Sequence, residues 1–197
     1  MKFLMSYRAS IQSEIRELTH KRILDAVWHL SLDVWLDEIT LSQIADRANV
    51  SVQTLFRHFD SRDVLIEKSL ENFIQTIRDL RSDTLDVSVQ SIVDTLLNSY
   101  EQNGNWFFRL QSQENRFPGL AKWNRAWQEI QLEWVQRNFS VYLQALSPIN
   151  QQELEQILVG MTDVHFWKVY RHDLGKSLEE TRQIWIRVLR AVLLSYR

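Results

Sequence analysis

TLSQIADRANVSVQTLFRHFDSRD, residues 40–63, spells a short helix, a tight turn and a second short helix with its polar face turned outward. Thr40 followed three residues later by Gln43 is a capping-box start, which sets Leu41, Ile44, Ala45 and Ala48 on the inward face. Asn49 ends that helix, because Asn is one of the few residues with a side chain that enters the left-handed region cheaply. Val50 then plugs the core. Ser51 caps the next helix, in which Leu55 and Phe59 point inward and Val52, Gln53, Thr54, Arg57 and His58 lie on other faces. A short exposed helix held out by a tight turn is the geometry that enters a DNA major groove.

Outward from this stretch the pattern stays helical. Ile23, Ala26, Val27 and Leu30 mark one face of a helix over about residues 10–32. Ile11, Ile15 and Leu18 precede that face, and either lengthen the helix or pack on a partner domain. Ser61 opens the following helix, where Ile66, Leu70, Phe73, Ile77 and Leu80 alternate spacings of four and three. Further helices are predicted over 87–102, 106–115, 120–145, 151–171 and 178–195. Pro118 with Gly119, and Ser147 with Pro148, are breaks. Asn150 with Glu153 and Ser177 with Glu180 read as capping starts, and Gly175 as a helix end.

Composition agrees with that reading. Among 197 residues there are two Pro and four Gly, none of the glycines before Gly104, and 45% of the chain is apolar, enough to fill one large or two small cores. No Asn-Gly or Asp-Gly turn stands between alternating apolar runs, so strands are not predicted. The fold expected is all-α: an N-terminal three-helix, helix-turn-helix DNA-binding domain over 1–70, then a larger helical effector-binding and dimerisation domain over 71–197. The absence of cysteine excludes disulfides and Cys-ligated metals. MKFLMSYR is too short for a signal peptide's apolar core and no apolar run reaches membrane-spanning length, so a soluble cytoplasmic protein is expected. A net charge of −2 argues against a polycation but allows a local basic patch, to which Arg16, Lys21, Arg22, Arg57, His58 and Arg62 are the candidates.

The stretch from Lys21 to Leu65 resembles the tetracycline-repressor (TetR) family of transcriptional regulators, whose usual form runs IA, two residues, AGVS, two residues, TLY, one residue, HF, one residue, SK. Here the corresponding residues are IADRANVSVQTLFRHFDSR, in the same order and without gaps. Asn49 and Gln53 stand where the family has Gly, Phe56 where it has Tyr, and Arg62 where it has Lys. The resemblance implies that Val52, Gln53 and Thr54 face the groove, Gln53 with an amide suited to adenine. It places Lys21, Thr40, Phe56, Arg57, His58 and Arg62 near phosphates. It further implies a repressor that binds a palindromic operator as a homodimer through its last two helices.

The remaining sequence signals concern the body. Six of eight tryptophans lie there: Trp106, Trp123, Trp127, Trp134, Trp167 and Trp185. Asn124, Gln131 and Asn138 recur every seven residues between two apolar stripes of one helix, where buried amides need partners. One expectation is an effector pocket walled by Trp106, Trp123, Trp127 and Trp134, with those amides and His165 fixing a flat aromatic or cationic molecule. The competing expectation is that the tryptophans are core, the amides bond to neighbouring helices or water, and His165 is a core or dimer-seam histidine. A helix carrying Leu154, Leu158, Val159, Met161, Phe166, Trp167 and Tyr170 is apolar nearly all round, which calls for burial by more than its own domain, with Gly160 allowing close approach. Asp163, His165, His172 and Asp173 lack ligand spacing, so no metal or other cofactor is expected. Without a phosphate loop, a His-Glu-x-x-His helix or a nucleophile elbow, an all-α enzyme is the weaker alternative, alongside an adaptor or sensor that does not bind DNA.

Overall fold

The computed structural model describes residues 2–80 and 88–196. Regular structure among these residues is helical: α1 (Lys2–Ser31), α2 (Leu41–Ala48), α3 (Val52–His58), α4 (Arg62–Leu80), α5 (Val89–Gln111), α6 (Leu120–Asn138), α7 (Ser140–Leu143), α8 (Pro148–Met161), α9 (Val164–Lys168) and α10 (Leu178–Ser195). A π-helical turn, Val169–Asp173, follows α9 directly. The chain divides into two compact units, residues 1–75 with 113–123, and residues 76–112 with 124–197. The sequence places a boundary near Glu71 inside a helix; the division here falls between Gln75 and Thr76, within α4. That residues 113–123 return to the first unit is not visible in the periodicity.

In the first unit, Ile23, Ala26 and Val27 of α1 share a core with Ile44, Ala45 and Ala48 of α2, Leu55 of α3, Phe59, and Leu65 and Ile66 of α4. Local chemistry sets the two short helices as expected. The Thr40 hydroxyl accepts from the Gln43 N–H while Gln43 Oε1 accepts from the Thr40 N–H, closing the capping box. Asn49 adopts φ 51°, ψ 53°, and its N–H donates back to α2. Ser51 Oγ accepts from the Thr54 N–H, so α3 leaves the turn with a satisfied first turn. α1 begins earlier than predicted, at Lys2, and Ile15 and Leu18 within it are 58% and 59% exposed.

The α1–α2 connection is held from two directions. From α4, the Arg62 guanidinium donates to the carbonyls of Ile39 and Leu36 and to the Asp63 carboxylate. From residues 113–123, Gln113 Oε1 accepts the Leu36 N–H at 2.7 Å. Arg116 bonds Asp37 and Glu38, each at 2.9 Å, and lies 4.8 Å from the centre of the Trp35 ring. Lys122 pairs with Glu71 of α4 at 2.6 Å.

In the second unit four boundaries differ from the sequence expectation. No break follows Gln102: α5 runs unbroken through Gly104, where a Cβ would lie 2.5 Å from the Trp167 ring, so the glycine serves helix packing. α6 ends at Asn138 and α7 is a separate short turn. The start of α8 is Ser147, whose Oγ accepts from the Asn150 N–H with Pro148 in the first turn, so Asn150 is not the cap. The predicted helix over 151–171 is divided at Thr162 and Asp163. Backbone carbonyls freed by that break are met by side chains from three helices. Tyr100 O–H and Gln131 Nε2 both donate to the Thr162 carbonyl, at 2.8 and 3.0 Å, and Trp185 Nε1 donates to Met161 at 2.8 Å. The Asp163 carboxylate caps α9. Ser177 and Glu180 form the predicted capping box, and the Ser177 backbone N–H holds the Glu180 carboxyl down to about 2. Gly175 takes φ +59°, the left-handed turn expected there.

Candidate nucleic-acid interface

Leu55, 1% exposed, and Phe59, 6% exposed, anchor α3 and fix which side of it faces out. Helical spacing then arranges the rest. Val52 and Phe56, four residues apart, form one column; Gln53 and Arg57 form the next, opposite the buried Leu55. All four are exposed, Val52 at 37% and Phe56 at 53%. Thr54 and His58 lie half-buried on the other flank, where the Thr54 hydroxyl bonds Ser51. Arg57 makes no ion pair among the described residues and is available to an anion. Arg57 and His58 also occupy the last turn of α3, where positive charge is favoured by the helix dipole.

The other expected contacts are placed as follows. Lys21 is exposed on α1, and Thr40 is exposed with its hydroxyl engaged by Gln43. Arg62 is only 26% exposed, and its donors face Ile39, Leu36 and Asp63 rather than solvent. His20 of α1 stacks on Phe59 at 4.7 Å and lies 5.8 Å from the His58 ring. Burial, then His20, then Arg16 lower the His58 pKa from 6.5. A lowered pKa means the unfolded chain takes up the proton first, so this contribution to stability is present above pH 6.5 and lost as pH falls through the lower folded value. Melting between pH 7.5 and 5.5 is therefore expected to fall more steeply in the parent than in His58→Gln, by less than one proton's slope. Equal slopes would remove His58 from the acid response.

Most of the expected effector residues are buried side chains. Trp106, Trp123, Trp127, Gln131, Trp134 and Asn138 are each 4% exposed or less, and Asn124 is half-buried. Gln131 bonds the Thr162 hydroxyl and carbonyl, and Asn138 bonds the Trp134 carbonyl. His165 is neither core nor walled in: it is exposed, its Nδ1 2.6 Å from Asp163 and its ring edge-on to Phe108. Trp134 does border a cleft of about 160 Å³, shared with Thr95, Asn98, Ser99, Gln102 and Asn103 of α5. A larger cleft of about 290 Å³ lies between Ser88, Gln90, Tyr142, Arg190 and Leu193, a grouping that no sequence spacing signals.

Comparison with known proteins centres on the same helices. Residues 23–68 match the family model described as bacterial regulatory proteins, tetR family. The uncharacterized HTH-type transcriptional regulator YdeS of Bacillus subtilis is 35% identical over 83 residues, which is 42% of this chain. The chain spans about 40% of that relative's length. Among solved structures, Salmonella enterica GusR superposes with a TM-score of 0.68 over 90% of this chain and 94% of its own, at 17% identity. A transcriptional regulator from Rhodococcus sp. Rha1 gives 0.63 over 86% and 94%, at 15% identity. At these identities the two structures show a shared fold.

Proposed function

We propose that the chain, whose residues 23–68 match the model of the tetR family of bacterial regulatory proteins, is a member of that family and a transcriptional repressor that binds a palindromic operator as a homodimer. A small molecule bound in the second unit would release it. The observation that carries the DNA-binding reading is α3: a rod pinned by Leu55 and Phe59, with Val52, Gln53, Phe56 and Arg57 all presented to solvent within the matched segment. Two such rods about 34–36 Å apart reach successive turns of one DNA face, which is what a symmetric dimer supplies. Dimerisation through α8 and α10 is supported by the half-buried Ile157, Met161, Ile184 and Val188, and by Gly160, beside which a Cβ would meet open space. No helix among the described residues is long and apolar enough to cross a membrane.

For the effector, the cleft beside Trp134 offers an aromatic wall and several amides, features that orient a small polar aromatic molecule. A ligand there changes DNA binding only if its affinity differs between the bound and released forms. Selection of DNA fragments from a random pool by the full-length protein tests the regulator directly. A palindromic consensus is expected. Arg57→Ala should weaken every sequence and flatten the salt dependence by about one unit, whereas changing Gln53 should alter which operator is preferred. No enrichment at low salt would instead support the adaptor, and turnover of a metabolite panel would be needed to support an enzyme.

A further inference from the structure

Resting on operator binding as read above, we infer that Val52 and Phe56 read thymine methyl groups, so that the operator half-site carries thymines beneath this column of α3. The recognition helix presents two unlike columns side by side. Gln53 and Arg57 bring hydrogen-bond donors, while Val52 and Phe56 bring only carbon. Large apolar side chains 37% and 53% exposed, next to each other on a seven-residue helix, gain most from a surface that is itself apolar. On a duplex the major groove offers one such surface, the C5-methyl of thymine, which Phe and other apolar side chains contact. The family resemblance places Phe56 near a phosphate, where a tyrosine hydroxyl would donate. A phenyl ring has no donor, and phosphate oxygens held against it would lose water without receiving a bond. The methyl edge suits it better.

Geometry keeps the two columns together. Leu55 and Phe59 lock the rotation of α3, and the left-handed Asn49 with the Ser51 cap locks its start, so Val52 cannot turn away from the groove without Gln53 leaving it too. A thymine on one strand and a purine edge read by Gln53 beside it are therefore selected as a unit.

The test replaces thymine by deoxyuridine, which removes the methyl and leaves base pairing and phosphates unchanged. Operators are first selected from random DNA by the full-length protein, then each thymine of a half-site is exchanged singly. About fourfold weaker binding is expected for each methyl under Val52 or Phe56, the transfer value of one buried carbon. Uracil and thymine operators should bind alike to the Val52→Ala, Phe56→Ala double variant, while Phe56→Leu should retain the discrimination. Half-sites without thymine at these positions, or uracil operators bound as tightly as their parents throughout, would overturn the assignment and leave the regulator standing. Failure to enrich any DNA would overturn both.

Discussion

Trp185→Ala is expected to cost the second unit about 3–5 kcal/mol, the range for removing a large buried aromatic, and to lower its melting temperature by roughly 10 °C. Trp185 is fully buried, lies nearly parallel to Tyr100 at 6.3 Å and stacks on Phe166 at 4.8 Å. Its indole N–H also donates to the Met161 carbonyl. That carbonyl sits where α8 stops, beside the Thr162 carbonyl that Tyr100 and Gln131 bond. The substitution therefore removes packing and strands a polar group at the same point. Trp185→Phe keeps a ring and loses only the donor, so it should cost about 1–3 kcal/mol, within the range for one unsatisfied buried group. Thermal and urea unfolding of the parent and both variants measure this ordering. If Trp185→Ala melts with the parent, the break at Thr162 is not stitched as described.

Much of the first unit was legible because its signals are local. Thr40 with Gln43, Asn49, Ser51, Leu55 and Phe59 each act on atoms within a few residues, so capping and periodicity placed them correctly. The second unit is decided by contacts distant in sequence. Gly104 reads as a break until the Trp167 ring is seen where its side chain would be. The apolar run through Thr162 reads as one helix, since the partners that stabilise its interruption come from Tyr100, Gln131 and Trp185. The amide nitrogens of Gln131 and Asn138 both find acceptors within the helical body, one on a distant helix break and one on its own helix, which spacing alone does not reveal. His165 is not a core residue, because Asp163 begins a new helix there and turns the imidazole outward.

Arg62 is the residue whose role the sequence and the structure assign differently, and its replacement should show the second largest effect. A lysine-like cation contacting phosphate would contribute nothing to stability without DNA; Arg62→Ala would then melt like the parent and flatten the salt slope by about one unit. The structure instead aims the guanidinium at the Ile39 and Leu36 carbonyls, two residues that are completely buried. Charge-assisted bonds of this kind are worth about 1.5–3 kcal/mol each. With the side chain 26% exposed the sum is discounted for solvent, so Arg62→Ala should destabilise the first unit by about 2–3 kcal/mol. Arg62→Lys should recover little, because an ammonium cannot reach both carbonyls with the planar fork. The readout is amide hydrogen exchange over residues 32–40 in the full-length protein without DNA, together with operator affinity at several salt concentrations. Faster exchange and uniformly weaker binding with an unchanged salt slope identify Arg62 as a positioning residue that sets the Thr40 cap ahead of α2. Parent-like exchange with a flattened slope would return it to the phosphate.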